Sequence, residues 1–454
     1  MPTVSQINTT PLSGLSHVDA LLDNGPGWIW LTPQRPTIYY TFSVSSGLET
    51  GNSDIGKVIA FNSTQQSACL KQLGYISQLT GITFAIATNP TTADLHFAAT
   101  NLLDSPSTSG LCSWGTSWSY MPDETIVSFT PSAYVYLDNV EWASDNNSPT
   151  AGSWGYETLL HEVGHALGLK HPFDGPLTLP AGVDNTANTV MSYTTSGGPY
   201  STFRPYDVAA LQWLYGSDGL GGALGAGSAG HYYVGTSAAD KIVGGAGNDR
   251  LQGLAGNDAM DGGAGTDTVL FSGIRSSYTI SNGVSTFAVN SVAEGSDLLQ
   301  NVERLQFSDS SLAFDLSGGN SAGGIYRLYV AGFNRSPDYV GIGFYIDQAD
   351  KGLKDAISIA TDFLYSDEFP KQYGVKMTDT YATGLNITAL VTGFYTNVLK
   401  RAPDPDGLKF YIDQITIKEK TVGRVLAEIC DSPEIVQKIG VDIENGVAFI
   451  PWLG

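Results

Sequence analysis

The chain has 454 residues, more than one ordinary hydrophobic core organises, so about three domains are expected. Its 22 basic and 44 acidic residues leave a net charge of −22, which excludes nucleic-acid binding through phosphate neutralisation. Such an acidic excess suits a solvated secreted surface or a chain that takes up divalent cations. Charged residues are only 15% and glycines number 53, so this is not a charged disordered polymer. No apolar run approaches the length of a membrane span. Cysteine is scarce and odd in number (Cys69, Cys112, Cys430), which rules out a disulfide framework. A single Cys69–Cys112 bridge stays open, with free thiols the favoured reading.

Residues 1–35 are rich in Thr, Ser, Pro and Gly, with a short helical stretch at His17–Leu22 followed by Trp28 and Trp30. Met1–Thr10 carries no basic region followed by an apolar one, so it is not a Sec-type signal peptide. Taken alone, that argues for a cytoplasmic protein. The calcium repeats further along argue otherwise. Residues 36–218 mix strands and helices. Thr37–Phe42 reads as a strand, and apolar Cys69, Leu73, Ile76 and Leu79 at helical spacing predict a helix. Strand-like runs follow at 81–87, 94–99 and 125–137. His96 falls on one of them without a partner motif and reads as structural.

The organising stretch is His161-Glu162-Val163-Gly164-His165-Ala166-Leu167-Gly168-Leu169-Lys170-His171. Four residues apart on a helix, His161 and His165 share a face, and two imidazoles so placed can hold one zinc ion. Glu162 is positioned to act on water at the metal. Gly168 permits the backbone to leave the helix, so that His171 returns as a third ligand. Three protein ligands leave an open position, the arrangement of a catalytic zinc and not of a closed structural one. Three of the chain's six histidines fall in this one window, which makes coincidence a poor explanation.

The pattern H-E-x-x-H-x-x-G-x-x-H resembles that of the metzincin zinc endopeptidases. Val190-Met191-Ser192-Tyr193, 20 residues after His171 at its methionine, is similar to the Met-turn in the form found in serralysins and astacins. The resemblance implies that Met191 is the floor beneath the metal. It also implies that Tyr193 is a switchable metal ligand that steadies the oxyanion. Pro205–Tyr215 reads as a helix with proline near its start and resembles the last helix of a serralysin catalytic domain. In that family the residues before Thr37 include a short prosegment, which would place a carboxylate such as Asp23 on the metal. A plain N-terminal arm packed by its tryptophans is the favoured alternative.

Residues 219–318 open with a Gly/Ala/Ser linker over 219–230 and continue into a nine-residue repeat. Its clean units begin at Gly244, Gly253 and Gly262, after a worn unit at 235–243, and place Asp240, Asp249, Asp258 and Asp267 in register. Each turn needs glycine backbone angles and offers carbonyls plus one carboxylate to calcium. The expected calcium set is Gly244, Gly245, Ala246, Gly247 and Asp249; Gly253, Ala255, Gly256 and Asp258; and Gly262, Gly263, Ala264, Gly265 and Asp267. Asp240 is a weak candidate because its turn lacks the glycines. Leu251, Met260 and Val269 would fill the interior. This pattern resembles the RTX β-roll, and the alternating strands of 277–314 resemble the β-sandwich-like closure that follows it.

Residues 319–454 switch to helical spacing and duplicate themselves at an offset of 66 residues. Arg335, Pro337 and Asp338 match Arg401, Pro403 and Asp404; Phe344–Gln348 matches Phe410–Gln414; Ser366 and Glu368 match Ser432 and Glu434. Paired helical units that bury one another's aromatic faces are expected, similar to a helical module appended to many exported bacterial proteins. Its Tyr and Asp residues are candidate glycan contacts, with structural packing the favoured reading.

The expected fold is thus multidomain: an α+β metzincin domain, a parallel RTX β-roll with a β-sandwich closure, and an all-α repeat domain. The leading expectation is a secreted, calcium-dependent zinc endopeptidase acting on proteins or peptides, with Glu162 as general base. By resemblance, type I secretion machinery would export it on a C-terminal signal; the apolar tail 447–454 is compatible with one but departs from the acidic-then-aliphatic ending of serralysins. The competing class is a calcium-stabilised surface or adhesive protein whose helical repeats contact the cell envelope.

Overall fold

The computed structural model describes residues 1–31, 35–282 and 286–452. The chain divides into two compact units, Met1–Gly265 and Thr266–Gly454, and the division falls inside the nine-residue repeats.

The first unit is built on a twisted sheet whose strands run, edge to edge, Thr83–Ile86, Thr37–Thr41, Leu95–Thr100, Ile126–Asp138 and Gly110–Tyr120. All neighbours are parallel except the last pair, and the short strand Ile59–Ala60 lies antiparallel on Leu95–Thr100. The edge strand Gly110–Tyr120 was not anticipated from sequence. Its Ser, Thr, Gly and Trp residues are half-exposed or exposed throughout, so no buried face alternates along it. The helix expected around Cys69 spans Ser63–Thr80, opened by an Asn62–Gln65 capping box and closed by Gly81 in the left-handed region. Its Cys69, Leu73 and Ile76 are buried. His96 is buried and stacked on Tyr134 at 4.7 Å, in keeping with a structural role. All three cysteines are free, so the Cys69–Cys112 bridge is not formed.

The N-terminal arm is part of this core. Val18, Leu21, Leu22 and Trp28 are buried, and Trp213 Nε1 donates to Pro11 O at 2.7 Å. The segment expected to be a loose linker is packed as well: Ala226 N–H donates to Leu214 O at 3.1 Å. Beyond it, each repeat contributes a three-residue strand. Tyr232–Val234 pairs in parallel with Arg250–Gln252, and Lys241–Val243 with Ala259–Asp261, so strands meet two repeats apart. Ile242, Leu251 and Met260 point inward and are buried.

In the second unit, Thr268–Leu270 pairs in parallel with Arg304–Gln306, which continues antiparallel to Ser311–Ala313. Thr279–Asn282, Thr286–Ser291 and Gly295–Gln300 form an antiparallel meander. The helical repeats follow, with Ala322–Phe333, Tyr339–Asp350 and Ala356–Tyr365 matched by Ile387–Leu399, Pro405–Thr416 and Val422–Cys430. Asp338 and Asp404 cap equivalent helices. Arg335–Glu368 and Arg401–Glu434 are equivalent ion pairs. Tyr329 is buried against Phe363 at 4.6 Å. Among the Tyr and Asp residues that were candidate glycan contacts, Asp338 and Asp404 thus cap and Tyr329 packs, whereas Tyr339 and Tyr365 are exposed. The tail is not a helical terminus: Val447–Phe449 pairs antiparallel with Ser311–Ala313. The whole helical module therefore sits between two adjacent strands of one sheet. No helix among the described residues is long and apolar enough to cross a membrane.

Candidate metal centre

The motif helix spans Trp154–Ala166, with the Ser153 side chain accepting from Tyr156 N–H at its start. One turn apart, His161 and His165 face the same way. Gly168, at φ +95°, turns the chain so that His171 comes back to meet them. The three Nε2 atoms stand 3.2 Å (His161–His171), 3.2 Å (His161–His165) and 3.1 Å (His165–His171) apart. Each Nδ1 has its own acceptor: Val190 O at 2.8 Å, Leu169 O at 2.8 Å and the Asp174 carboxylate at 2.9 Å, for His161, His165 and His171 respectively. The ring protons therefore sit on Nδ1, and three Nε2 lone pairs converge. Such lone pairs repel one another unless a cation lies between them. Nitrogens binding one zinc at about 2.0–2.1 Å in tetrahedral geometry stand roughly 3.3 Å apart, so this donor set fits zinc. Among the described residues, these three form the cluster of His, Cys, Asp and Glu that can share a metal. Burial pushes His161 down to about 4 and His165 well below its usual value, which keeps both neutral.

Glu162 projects beside the histidines, buried between the motif helix and the edge strand. Burial raises its carboxyl to about 8, opposed by the Cys112 backbone N–H. The edge strand can approach this closely only because residue 110 is glycine: a Cβ there would lie 2.7 Å from Glu162 Oε1. Met191 is fully buried under the helix, where a Cβ on Gly164 would meet its Sδ at 2.7 Å. Buried Asp207 shapes this turn, accepting from Thr189 Oγ1 at 2.5 Å, Val190 N–H at 2.9 Å and Arg204 N–H at 2.8 Å. It thereby fixes the Val190 carbonyl that orients His161. Tyr193 is 69% exposed, its ring 4.6 Å from that of His171 and 6.0 Å from that of His161. Burial first, then Glu162 and Asp174, raise its phenol and keep it protonated. Asp23 is not in the histidine cluster; its carboxyl lies near Trp114 and Lys170. Sequence reasoning missed Gly110, Asp174 and Asp207, and only Gly164, inside the motif, stood in plain view.

In the repeats, Asp249, Asp258 and Asp267 are buried. Asp249 accepts from His231 N–H at 2.6 Å and Gly245 N–H at 2.5 Å, and Asp258 accepts from Asp240 N–H at 2.8 Å. Asp249 and Asp258 thus each reach back 18 residues, binding one turn to the turn two repeats before it. Gly263 and Gly265, at φ +93° and +144°, back directly onto the carbonyls of Gly245 and Gly247, leaving no room for Cβ atoms. That is the physical content of the G-G-x-G spacing. Asp240 turns instead to Thr236, accepting from its N–H and hydroxyl at 2.5 and 2.9 Å. Asp267 N–H donates to Glu303 Oε2 at 2.9 Å, a partner invisible in the repeat pattern.

Residues 234–269 match the RTX calcium-binding nonapeptide repeat in four copies, and residues 360–439 match a domain of unknown function (DUF4214). The chain is 32% identical to a serralysin of Proteus mirabilis over 125 residues, which is 22% of this chain and 26% of that protein. It is 27% identical to metalloprotease AprA of Pseudomonas entomophila over 219 residues, 44% of this chain and 43% of that protein. A solved extracellular lipase LipA from Serratia marcescens aligns at 19% identity over 19% of this chain and 17% of that one, with a TM-score of 0.12 too low to bear on the fold. The chain therefore spans between a quarter and a half of the curated relatives' length. It carries RTX calcium-binding repeats and is serralysin-like, distantly similar to serralysins and to metalloprotease AprA.

Proposed function

We propose that this protein is a secreted, calcium-dependent zinc endopeptidase of the metzincin type, with its repeats wound as a parallel β-roll. The observation that carries the reading is the convergence of three Nδ1-protonated histidines beside a buried glutamate. His161, His165 and His171 would hold zinc, with Met191 as their floor. When bound, zinc supplies Lewis acidity that makes water a nucleophile near neutral pH and polarises the scissile carbonyl. Glu162 accepts the proton of the attacking water and passes it to the leaving amine; its buried setting matches its affinity for the proton to that task. The Tyr193 hydroxyl, held protonated, donates a hydrogen bond to the developing oxyanion. The unpaired side of Gly110–Tyr120 offers backbone groups to an extended peptide. Asp249, Asp258 and Asp267, with the turn carbonyls, would take calcium outside the cell and complete folding there. The likeness to serralysins and to metalloprotease AprA supports peptide substrates, and together with the RTX repeats it supports type I secretion.

The test is cleavage of an unfolded protein by the purified chain in calcium, beside Glu162→Ala, each with and without a zinc chelator. Cleavage by the untreated wild type alone is the expected result. A folded, zinc-loaded wild type that cuts no substrate across a peptide library would refute the assignment.

A further inference from the structure

The segment joining the second and third histidines is held from outside its own helix, and the N-terminal arm supplies most of the hold. Trp28 Nε1 donates to Ala166 O at 2.7 Å. Asp23 N–H donates to Gly168 O at 2.9 Å, and Lys170 N–H donates to Leu21 O at 2.8 Å, forming a short antiparallel bridge around Leu22 and Leu169. The Tyr215 hydroxyl donates to Leu167 O at 2.6 Å, and His165 Nδ1–H donates to Leu169 O. Every carbonyl from Ala166 to Leu169 thus has a partner, where a helix C-terminus would otherwise leave orphans.

Lys170 then ties the arm to the loop beyond. Its Nζ donates to Ala20 O at 2.6 Å on the arm, and to Asp174 O at 2.7 Å and Leu177 O at 2.9 Å on the loop. That loop carries the Asp174 carboxylate that orients His171 through Nδ1. His161 and His165 take their orientation from backbone carbonyls, whereas His171 depends on a half-exposed side chain. Its position is therefore the one most in need of outside support.

We infer that residues 20–28 are a built-in positioning element of the metal centre, acting through Lys170 and Asp174 on His171, and not a segment whose removal releases activity. This rests on reading the three histidines as metal ligands. In this role the arm sets the distance between ligands two and three. Lys170 and Asp174 are positioning residues that touch no substrate. Loss of such outer-shell support weakens metal binding by about 10–100-fold.

The experiment uses the full chain in calcium with Lys170→Met, Lys170→Arg and Trp28→Phe, and Lys71→Met as an exposed-lysine control. Zinc affinity is measured by competition with a chromophoric chelator, and the ligand set by the visible absorption of the cobalt(II)-loaded protein. The expected result is zinc binding weakened about tenfold or more in Lys170→Met and Trp28→Phe, with a changed cobalt spectrum, partial rescue in Lys170→Arg, and no change in the control. Affinity within twofold of wild type and an unaltered cobalt spectrum in both variants would overturn the inference. Faster proteolysis by either variant would overturn it too, because that is the signature of a latency segment. Should Lys170→Met fail to fold, Trp28→Phe, which keeps an aromatic ring in place, decides. A wild-type chain that takes up no zinc would instead bring down the metal reading on which the inference stands.

Discussion

Gly110→Ala tests whether the edge strand positions the general base. A methyl group at residue 110 would stand 2.7 Å from Cγ and Oε1 of Glu162 and 2.8 Å from Thr158 Cγ2. Carbon contacts become comfortable at about 3.5 Å, so the carboxylate and strand must separate by roughly 0.8 Å. A displacement of about 1 Å at a reacting group costs on the order of 100-fold in rate, equivalent to about 2.7 kcal/mol of barrier. Overpacking adds a stability loss of about 1–3 kcal/mol. The three nearest atoms to the new methyl belong to Glu162 and Thr158 and not to a histidine, so zinc content should stay at the wild-type level. The assay is kcat on an unfolded protein or fluorogenic peptide with zinc measured in the same sample. Gly115→Ala on the same strand, whose Cβ would find only Ser132 Oγ at 3.8 Å, should behave as wild type. A Gly110→Ala protein with full zinc and kcat within twofold of wild type would show that Glu162 does not work from this position.

Three further outcomes concern the calcium repeats and the buried Glu162 carboxyl. With calcium removed, the strands of residues 241–270 should lose their circular-dichroism signal and regain it with a midpoint of about 10⁻⁴ to 10⁻³ M calcium. Gly265→Ala, which puts a Cβ against Gly247 O, should raise that midpoint; an unchanged calcium curve would contradict the stacking argument. In zinc-stripped, calcium-loaded protein, Glu162 holds a proton in the native state between its usual 4.5 and about 8, while the unfolded chain has released it. Its contribution to stability therefore declines as pH rises across that window and is level outside it. The Tm of wild type relative to Glu162→Gln should fall from about pH 5 to about pH 8. A difference independent of pH would mean that the carboxyl is not desolvated.

The local motifs were legible because their physics is local. Helical geometry alone brings His161 and His165 to one face, a glycine at 168 permits the turn toward His171, and a nine-residue period records the repeating aspartates. Helix and strand patterns with a buried face, such as Cys69–Ile76 and Ile126–Asp138, could be read for the same reason. What the tertiary structure decided are contacts between residues far apart in the chain, where no periodicity marks the partner. Gly110 and Glu162 meet across a helix–strand packing, and their closeness shows only as a space too small for a methyl group. Asp207 governs His161 through the Val190 carbonyl. The edge strand escaped notice because a strand with neither face buried carries no alternation. The N-terminal arm is tied to the core by hydrogen bonds to the carbonyls of residues 166 and 168, contacts that its composition does not announce. The tail reads as an apolar end, and its pairing with Ser311–Ala313 is visible only once the chain has folded back. Sequence spacing determined which groups the proposed metal sites would use, because those groups lie within a few turns or one repeat of each other. The fold decided how each is held, because an acceptor, a methyl-sized gap or a bridging lysine exists only where distant segments pack.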